Sequence, residues 1–113
     1  MVEEPRSGTG LTTWWVDAGV WKHDEETGGE VAMLIELPTV QAGLWRPGRS
    51  GLGPLEVVLE HTEVLLVLSG TGRLEVGTEP SLDLAAGRAV RIAAGSHTRW
   101  TVSADFSELW MYV

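Results

Sequence analysis

Short apolar segments separated by turn residues recur along this chain. They are rich in Val, Leu and Ile, and Gly, Pro, Asp or Ser residues bound them. Segments of this kind, with turn signals about every 8–12 residues, are typical of β-sandwiches and β-barrels. No stretch carries the apolar stripe of an amphipathic helix, so the pattern predicts an all-β fold. The predicted strands are Thr12–Val16, Val20–His23, Glu30–Leu37, Val40–Trp45, Leu55–Glu60, Val64–Leu68, Arg73–Val76, Ser81–Leu84, Arg88–Ile92, Arg99–Val102 and Ser107–Val113.

The segment that starts at Glu63 is apolar on both of its faces. Read by alternate positions, the faces are Glu63, Leu65, Val67 and Ser69 on one side and Val64, Leu66 and Leu68 on the other. A strand that faces water on one side alternates apolar with polar residues, so this strand needs cover on both sides. In so short a chain with few helices, the expected cover is a second copy of the chain. We therefore predict a C2 homodimer.

Length and composition limit the class of protein. A chain of 113 residues forms one domain, which we expect over residues 11–113, after a flexible polar tail of residues 1–10. The absence of cysteine excludes disulfides, thiolate zinc sites and a cysteine nucleophile. The formal net charge of −8 opposes binding to nucleic-acid phosphates. The sequence has neither an apolar signal-peptide core nor a membrane-length segment, so we expect a cytoplasmic protein that binds neither nucleic acid nor membranes.

One carboxylate and several glycine turns carry a family resemblance. Six residues separate Glu63 from Gly70, and further turns lie at Gly87 and at Ala93–Gly95. This spacing resembles the two motifs of the cupin superfamily, small β-barrels whose first motif ends in Glu-x6-Gly. The resemblance implies a jelly-roll barrel of the double-stranded β-helix type.

The histidines that hold the metal in many cupins are missing from the matching positions. Counted back from Glu63, the first two positions fall either on Glu56 and Val58 or on Val57 and Leu59, and the last histidine position falls on Thr98. The sequence therefore favours a barrel without a bound metal or other cofactor.

Aromatic residues make the chain similar to the short, ethanolamine-utilisation-like cupins, which often lack the metal histidines. The matching pieces are Gly43-Leu-Trp45, Glu63–Gly70, Gly95–Trp100 and Leu109-Trp-Met-Tyr112. The resemblance implies a barrel pocket that binds a small molecule. The residues expected to line it are Trp45, Leu65, Val67, Thr98, Trp100, Trp110 and Tyr112.

Glu63 is the strongest candidate for chemistry. Its position in the cupin motif implies that its carboxylate points into the barrel, where burial would raise its pKa towards neutrality. A glutamate with a raised pKa is suited to general acid or base catalysis. The alternative is an exposed residue that merely opens a strand.

Two histidines are further candidates. His61 lies two residues before Glu63 and shares its strand face if the strand is continuous, but Glu60–Thr62 also reads as a turn that leaves His61 in solvent. His97 is offset by one residue from the family's histidine position, so in an extended strand it points to the opposite face. It is a shifted ligand, an acid/base group at the pocket rim or a surface residue.

These features predict a metal-independent enzyme of the isomerase, cyclase, dehydratase or lyase type, acting on a largely apolar metabolite, for example in secondary metabolism. Glu63 would move the proton, and His61 or His97 would assist. Two alternatives stay open. One is a metal-dependent dioxygenase or isomerase that uses His61, Glu63 and His97 as ligands, and the other is a non-catalytic small-molecule-binding or accessory protein.

Overall fold

The chain folds into β-strands joined by short turns. The structure, a computed structural model, describes residues 2–3, 13–17, 19–48 and 52–113. Within these ranges there is no helix, and hence none that is long and apolar enough to cross a membrane. The strands are β1 (Val2–Glu3), β2 (Trp14–Trp15), β3 (Lys22–His23), β4 (Glu30–Glu36), β5 (Gln41–Arg46), β6 (Leu52–Val58), β7 (Glu63–Ser69), β8 (Thr71–Val76), β9 (Leu82–Ala85), β10 (Ala89–Ile92), β11 (His97–Val102) and β12 (Ser107–Tyr112).

Each predicted strand overlaps an observed one, and the prediction of an all-β fold is confirmed. β1 is an addition, because Val2–Glu3 lie in the segment for which we expected a flexible tail, and they pair with β2. The rest of that segment, residues 1 and 4–10, lies outside the described residues.

Two antiparallel sheets build the barrel. The larger has the strand order β10-β7-β12-β5-β4-β3, and the smaller has the order β6-β11-β8-β9. Strands distant in sequence are neighbours in both sheets, as in a jelly roll. The last strand, β12, lies between β7 and β5 in the middle of the larger sheet.

The core lies between these two sheets. The side chains that are almost fully buried come from both sheets and one connecting loop, and they are Leu65, Val67, Leu74, Leu84 and Phe106. Burying each such side chain contributes on the order of 1.5–3 kcal/mol. Phe106 also packs edge-on against Trp45, with ring centroids 6.0 Å apart.

Two motif glycines allow close packing. Gly70 has φ of +76°, and a Cβ there would lie 2.5 Å from the backbone of Phe106, so the β7–β8 turn and the adjacent core both require glycine. Gly43 on β5 faces the indole of Trp110, and a Cβ there would lie 2.8 Å from that ring. These contacts explain physically why the sequence carries glycine at both positions.

The second apolar face of β7 lies on the outside of the barrel. Val64, Leu66 and Leu68 are between 36% and 46% exposed, whereas Glu63, Leu65 and Val67 point into the core. In the register with β12, Val64 is opposite Met111 and Leu66 is opposite Leu109. We call the set Ile35, Leu44, Val64, Leu66, Leu68, Leu109 and Met111 the outer apolar face.

Candidate functional site

An aromatic pocket opens at one end of the barrel, between the two sheets. Its cavity volume is about 70 Å³, smaller than the roughly 300–1,000 Å³ of most ligand pockets, so it has room for a few atoms of a ligand. The lining residues come from both sheets and from the loop between β3 and β4, and they are Glu26, Thr27, Trp45, Leu55, Val57, Leu59, Glu63, Trp100, Glu108, Trp110 and Tyr112.

The structure brings five of the ten predicted site residues to this pocket. Glu63 and the predicted aromatic side chains line it. Leu65, Val67 and Thr98 are buried in the barrel interior but are not among the lining residues.

Glu63 reaches the pocket from the first position of β7. Glu63 is only 7% exposed, and its Oε2 atom has no hydrogen-bond partner. Burial raises the pKa of Glu63 to about 7, and the nearby charge of Glu26 adds to the rise. The neutral and charged forms are therefore both populated near neutral pH.

A second buried carboxyl, Glu108 on β12, lines the same pocket. It is 6% exposed, and its Oε2 atom also has no hydrogen-bond partner. Burial raises the pKa of Glu108 well above its ordinary value, with a further contribution from Glu63. Glu108 was not among the site residues predicted from the sequence. Its position in the last strand indicated its place, because alternate residues share a strand face and Glu108 is therefore on the same face as Trp110 and Tyr112.

Tyr112 completes the polar part of the pocket. It lies directly opposite Glu63 in the register of β7 and β12, and its ring packs against Trp110 with centroids 4.7 Å apart. Burial raises the pKa of the Tyr112 hydroxyl above its ordinary value, and the carboxylates around it, led by Glu63, raise it further. The hydroxyl therefore stays protonated and remains a hydrogen-bond donor at neutral pH.

The indole N–H groups of two pocket tryptophans are satisfied within the protein. Trp45 Nε1 donates to Thr27 Oγ1 at 2.9 Å, and Trp100 Nε1 donates to Thr98 Oγ1 at 2.8 Å. The Thr98 hydroxyl in turn donates to the carbonyl of Val57 at 2.6 Å. These two tryptophans thus supply aromatic surface to the pocket rather than free donors.

An acidic loop forms part of the pocket rim. Thr27 Oγ1 donates to the Asp24 carboxylate and accepts from the Gly29 N–H, so the loop is tied together beside Trp45. A Cβ at Gly29 would lie 2.9 Å from the Trp45 ring, which indicates how closely the loop approaches that indole. Glu26, within this loop, is exposed and lines the pocket mouth.

The two predicted histidines do not join Glu63. His61 is exposed in the bend before β7, where it stacks on Tyr112 with centroids 5.4 Å apart, and it is not among the residues that line the pocket. His97 is exposed at the start of β11 and lines a separate surface depression with Glu75 and Arg99. In the described part of the chain, no three His, Cys, Asp or Glu side chains are grouped so that they could hold a metal ion.

The pocket side chains do not fit a cupin metal site. Val57 and Leu59 line the pocket, so of the two registers that the sequence left open, these aliphatic residues take the inward histidine positions. At the third position, the Thr98 hydroxyl already makes two hydrogen bonds within the protein. Of the four cupin ligand positions, only Glu63 keeps a side chain free to bind a metal. The other two carboxyls of the pocket, Glu26 and Glu108, do not group with it into a site of three ligands.

Comparison with known proteins identifies the fold. No protein-family model and no curated protein matches the chain. Solved structures do match the chain. Three of them have low sequence identities to it, of 15%, 15% and 17%. A Salmonella typhimurium protein named for ethanolamine utilization is 15% identical, with a TM-score of 0.75 over 98% of this chain and 91% of that one. A Cupin 2 conserved barrel domain protein from Salinispora arenicola is 15% identical, with a TM-score of 0.71 over 90% and 87%.

A cupin superfamily protein from Desulfitobacterium hafniense is 17% identical, with a TM-score of 0.66 over 80% of this chain and 81% of that one. The structure of this protein is therefore a cupin barrel, as the motif spacing indicated. The ethanolamine-utilization protein among these structures agrees with the subgroup that the aromatic motifs resemble. At these identities the likeness establishes the fold, and a fold hosts many functions.

Proposed function

We propose that the protein is a small-molecule enzyme that transfers protons in the aromatic pocket without using a metal. The observation that carries this proposal is Glu63, a buried carboxyl with a free Oε2 atom and a pKa of about 7. A general acid or base works best when its pKa lies near the working pH. The donor set around Glu63, which is unsuited to a metal, supports proton chemistry over Lewis-acid chemistry.

The second carboxyl allows a division of roles. Burial raises the pKa of both carboxyl groups, so near neutral pH one of the pair can hold a proton while the other is ionised. In an isomerisation, the ionised carboxylate takes a proton from one atom of the substrate and the protonated carboxyl gives one to another atom. The two predicted histidines lie outside the pocket, so the assisting role falls to Glu108 in this proposal.

Proton exchange with solvent provides the test. The purified protein, treated with a chelator, is incubated in D2O with pools of small metabolites, and mass spectrometry follows deuterium uptake and isomer formation. We expect at least one compound to take up deuterium or to isomerise in the presence of the wild-type protein but not in the presence of the Glu63→Gln variant. Glu36→Gln, an exposed carboxyl at the end of β4, is the matched control and should stay active. Unchanged turnover in Glu63→Gln, or turnover that needs an added metal, would contradict the proposal.

A second candidate is a binding protein without catalysis. The small cavity volume of about 70 Å³ favours it, because a barrel interior with so little free space holds only a few atoms of a ligand. The same experiment separates the two, since a binding protein would retain a ligand without exchanging its protons.

We further propose that the protein is a cytoplasmic homodimer that pairs through the outer apolar face. Five of the residues of this face are at least 36% exposed: Ile35, Val64, Leu66, Leu68 and Met111. Their side chains lie on one sheet, and contiguous apolar patches on the surface of a soluble protein generally mark interfaces. A two-fold axis through this sheet would bury the same face of both copies.

A further inference from the structure

We propose that the pocket ligand is a small organic cation, an amine or a quaternary ammonium that carries an apolar group. This inference deepens the proposed function and rests on its pocket being a ligand site, but it does not require Glu63 to transfer a proton. It departs from the sequence prediction of a largely apolar metabolite.

The charge of the pocket has one sign. Three carboxyl side chains, Glu26, Glu63 and Glu108, are among the lining residues, and none of the lining residues, all of which lie in the described chain, is Lys, Arg or His. Arg46 is engaged elsewhere, because it pairs with Glu30 at 3.0 Å and stacks on the ring of Trp21 at 3.9 Å. An anionic ligand would meet carboxyl groups with no cation to offset them.

Two of these carboxyl groups each have an oxygen atom without a hydrogen-bond partner, and a bound cation would provide that partner. Glu63 and Glu108 are 7% and 6% exposed, and each keeps a buried Oε2 atom without a hydrogen bond. Unpartnered buried polar atoms are uncommon in folded proteins and call for an explanation. A neutral apolar ligand would leave both atoms unpaired, whereas an ammonium group would pair with them.

The aromatic walls suit the same ligand. Trp45, Trp100, Trp110 and Tyr112 line the pocket together with the carboxyl groups. Aromatic faces attract cations, and cages of aromatic residues are the usual way in which proteins recognise quaternary ammonium groups. Since the N–H groups of Trp45 and Trp100 are already bonded, these residues offer aromatic surface to a ligand and not hydrogen bonds.

Proton linkage follows from this arrangement. A cation favours the ionised carboxylates, so its binding should expel a proton from Glu63, whose pKa is about 7 in the free protein. The other titratable groups around Glu63 are Glu26, Glu108 and Tyr112, with His61 stacked behind Tyr112. For a ligand with a permanent charge, the affinity should therefore rise as the pH rises through 7.

A pair of probes with the same shape and different charge tests the inference. Choline and 3,3-dimethylbutan-1-ol differ by a quaternary nitrogen in place of a carbon, and their binding is measured by calorimetry and by tryptophan fluorescence. We expect choline to bind at least about tenfold more tightly. Its affinity should increase from pH 6 to pH 8, while that of the neutral alcohol stays flat. Equal binding of the two probes, tighter binding of the alcohol, or no binding of choline at millimolar concentration would overturn the inference.

Substitutions locate the effect. Glu108→Gln should reduce the preference for choline about tenfold, and Glu36→Gln should leave it unchanged. Because a substitution in the barrel interior can disturb folding, Trp45→Phe provides a second variant, which keeps an aromatic ring and should weaken choline more than the alcohol. If the preference is the same in all variants, the cation does not bind in this pocket.

The outcome is separable from that of the proposed function. Selective choline binding without any deuterium exchange would support the cationic ligand and contradict the enzyme. Glu63-dependent exchange in a neutral compound, without selectivity for choline, would contradict the cationic ligand and support the enzyme.

Discussion

At the scale of single residues, burial has the greatest effect on the two carboxyl groups of the pocket. Glu63 and Glu108 stand on adjacent strands of one sheet and point towards the same cavity. Because neither Oε2 atom has a hydrogen-bond partner among the described residues, no hydrogen bond to that atom offsets the loss of water around the charged form. Their chemistry is therefore set by the barrel interior rather than by a neighbouring base.

Glu63→Gln should change how stability depends on pH. The folded-state pKa of Glu63, about 7, lies above the ordinary value of 4.5, so between these pH values the folded protein keeps a proton that the unfolded chain has lost. The contribution of Glu63 to the free energy of unfolding should be greatest below pH 4.5. It should fall by about 3 kcal/mol as the pH rises to 7.

Urea denaturation at several pH values between 4.5 and 8 checks this prediction. Glu63→Gln should reduce the slope in that window, and Glu108, whose pKa burial also raises, should account for slope that remains. Glu36→Gln should keep the wild-type slope. A wild-type protein with no loss of stability between pH 5 and pH 7 would show that the carboxyl is not desolvated.

Thr98→Val should destabilise the protein through Trp100. The substitution keeps the shape of the side chain but removes the acceptor of the buried Trp100 N–H, at a cost of about 1–3 kcal/mol. In a Trp100→Phe background the same change should cost less, because the donor is already gone. A double-mutant cycle of unfolding free energies measures the coupling, and strictly additive effects would contradict it.

Part of the site was predictable from the sequence. The cupin motif position of Glu63 and the resemblance of the last strand to that of the short cupins placed Glu63, Trp110 and Tyr112 in the barrel pocket, and all three line it. Sequence could not place His61, because the orientation of a residue before a strand depends on the turn, and here a bend turns it outward. Glu108 was not predicted, although its parity with Trp110 and Tyr112 puts the three side chains on one face of the last strand.

At the scale of elements, turn glycines and register determine the barrel. Glu30–Glu36 has a composition that would also suit a helix, and the flanking Gly28-Gly29 and Pro38 correctly predicted a strand. What the sequence did not contain was the order of strands in each sheet, because the pairing of β12 with β5 and β7 joins segments far apart in the chain. Such pairings depend on tertiary packing rather than on local pattern.

Gly70→Ala should be more destabilising than Gly87→Ala. Both glycines have positive φ, so both substitutions carry backbone strain on the order of 1 kcal/mol. A Cβ at Gly87 meets no atom within 4 Å, whereas one at Gly70 would collide with the backbone of Phe106. We expect Gly70→Ala to cost about 1–3 kcal/mol more, measured by thermal or urea unfolding. Equal losses would indicate that the Phe106 loop can move aside.

At the scale of the whole molecule, the outer apolar face is the main feature that a single copy leaves unexplained. Those of its residues that lie on β7 alternate along the strand with residues of the core. The strand is therefore apolar on both sides, and the barrel covers only one of them. The prediction of the homodimer came from this pattern, and the exposure of the face supports it. The cytoplasmic location and the oligomeric state stay predictions.

Leu66→Glu should separate the proposed dimer. A charge in the middle of the outer apolar face would have to be buried without a partner in the interface. Val58→Glu is the matched control, because Val58 is a 54% exposed apolar residue on the other sheet. Light scattering should give twice the 12.3 kDa chain mass for the wild type and the control, and the chain mass for Leu66→Glu. A wild-type monomer at micromolar concentration would contradict the dimer.

The central place of β12 has a consequence for the synthesis of the protein. During translation the other strands of the larger sheet emerge before β12, yet β7 and β5 have no direct pairing and are joined only through it. The larger sheet therefore cannot be joined into one piece, and one edge of β7 stays unpaired, until β12 has emerged from the ribosome. Folding should then be completed late and by long-range pairing, which is a slow step. In that interval the unpaired edge of β7 is open to pairing with another chain.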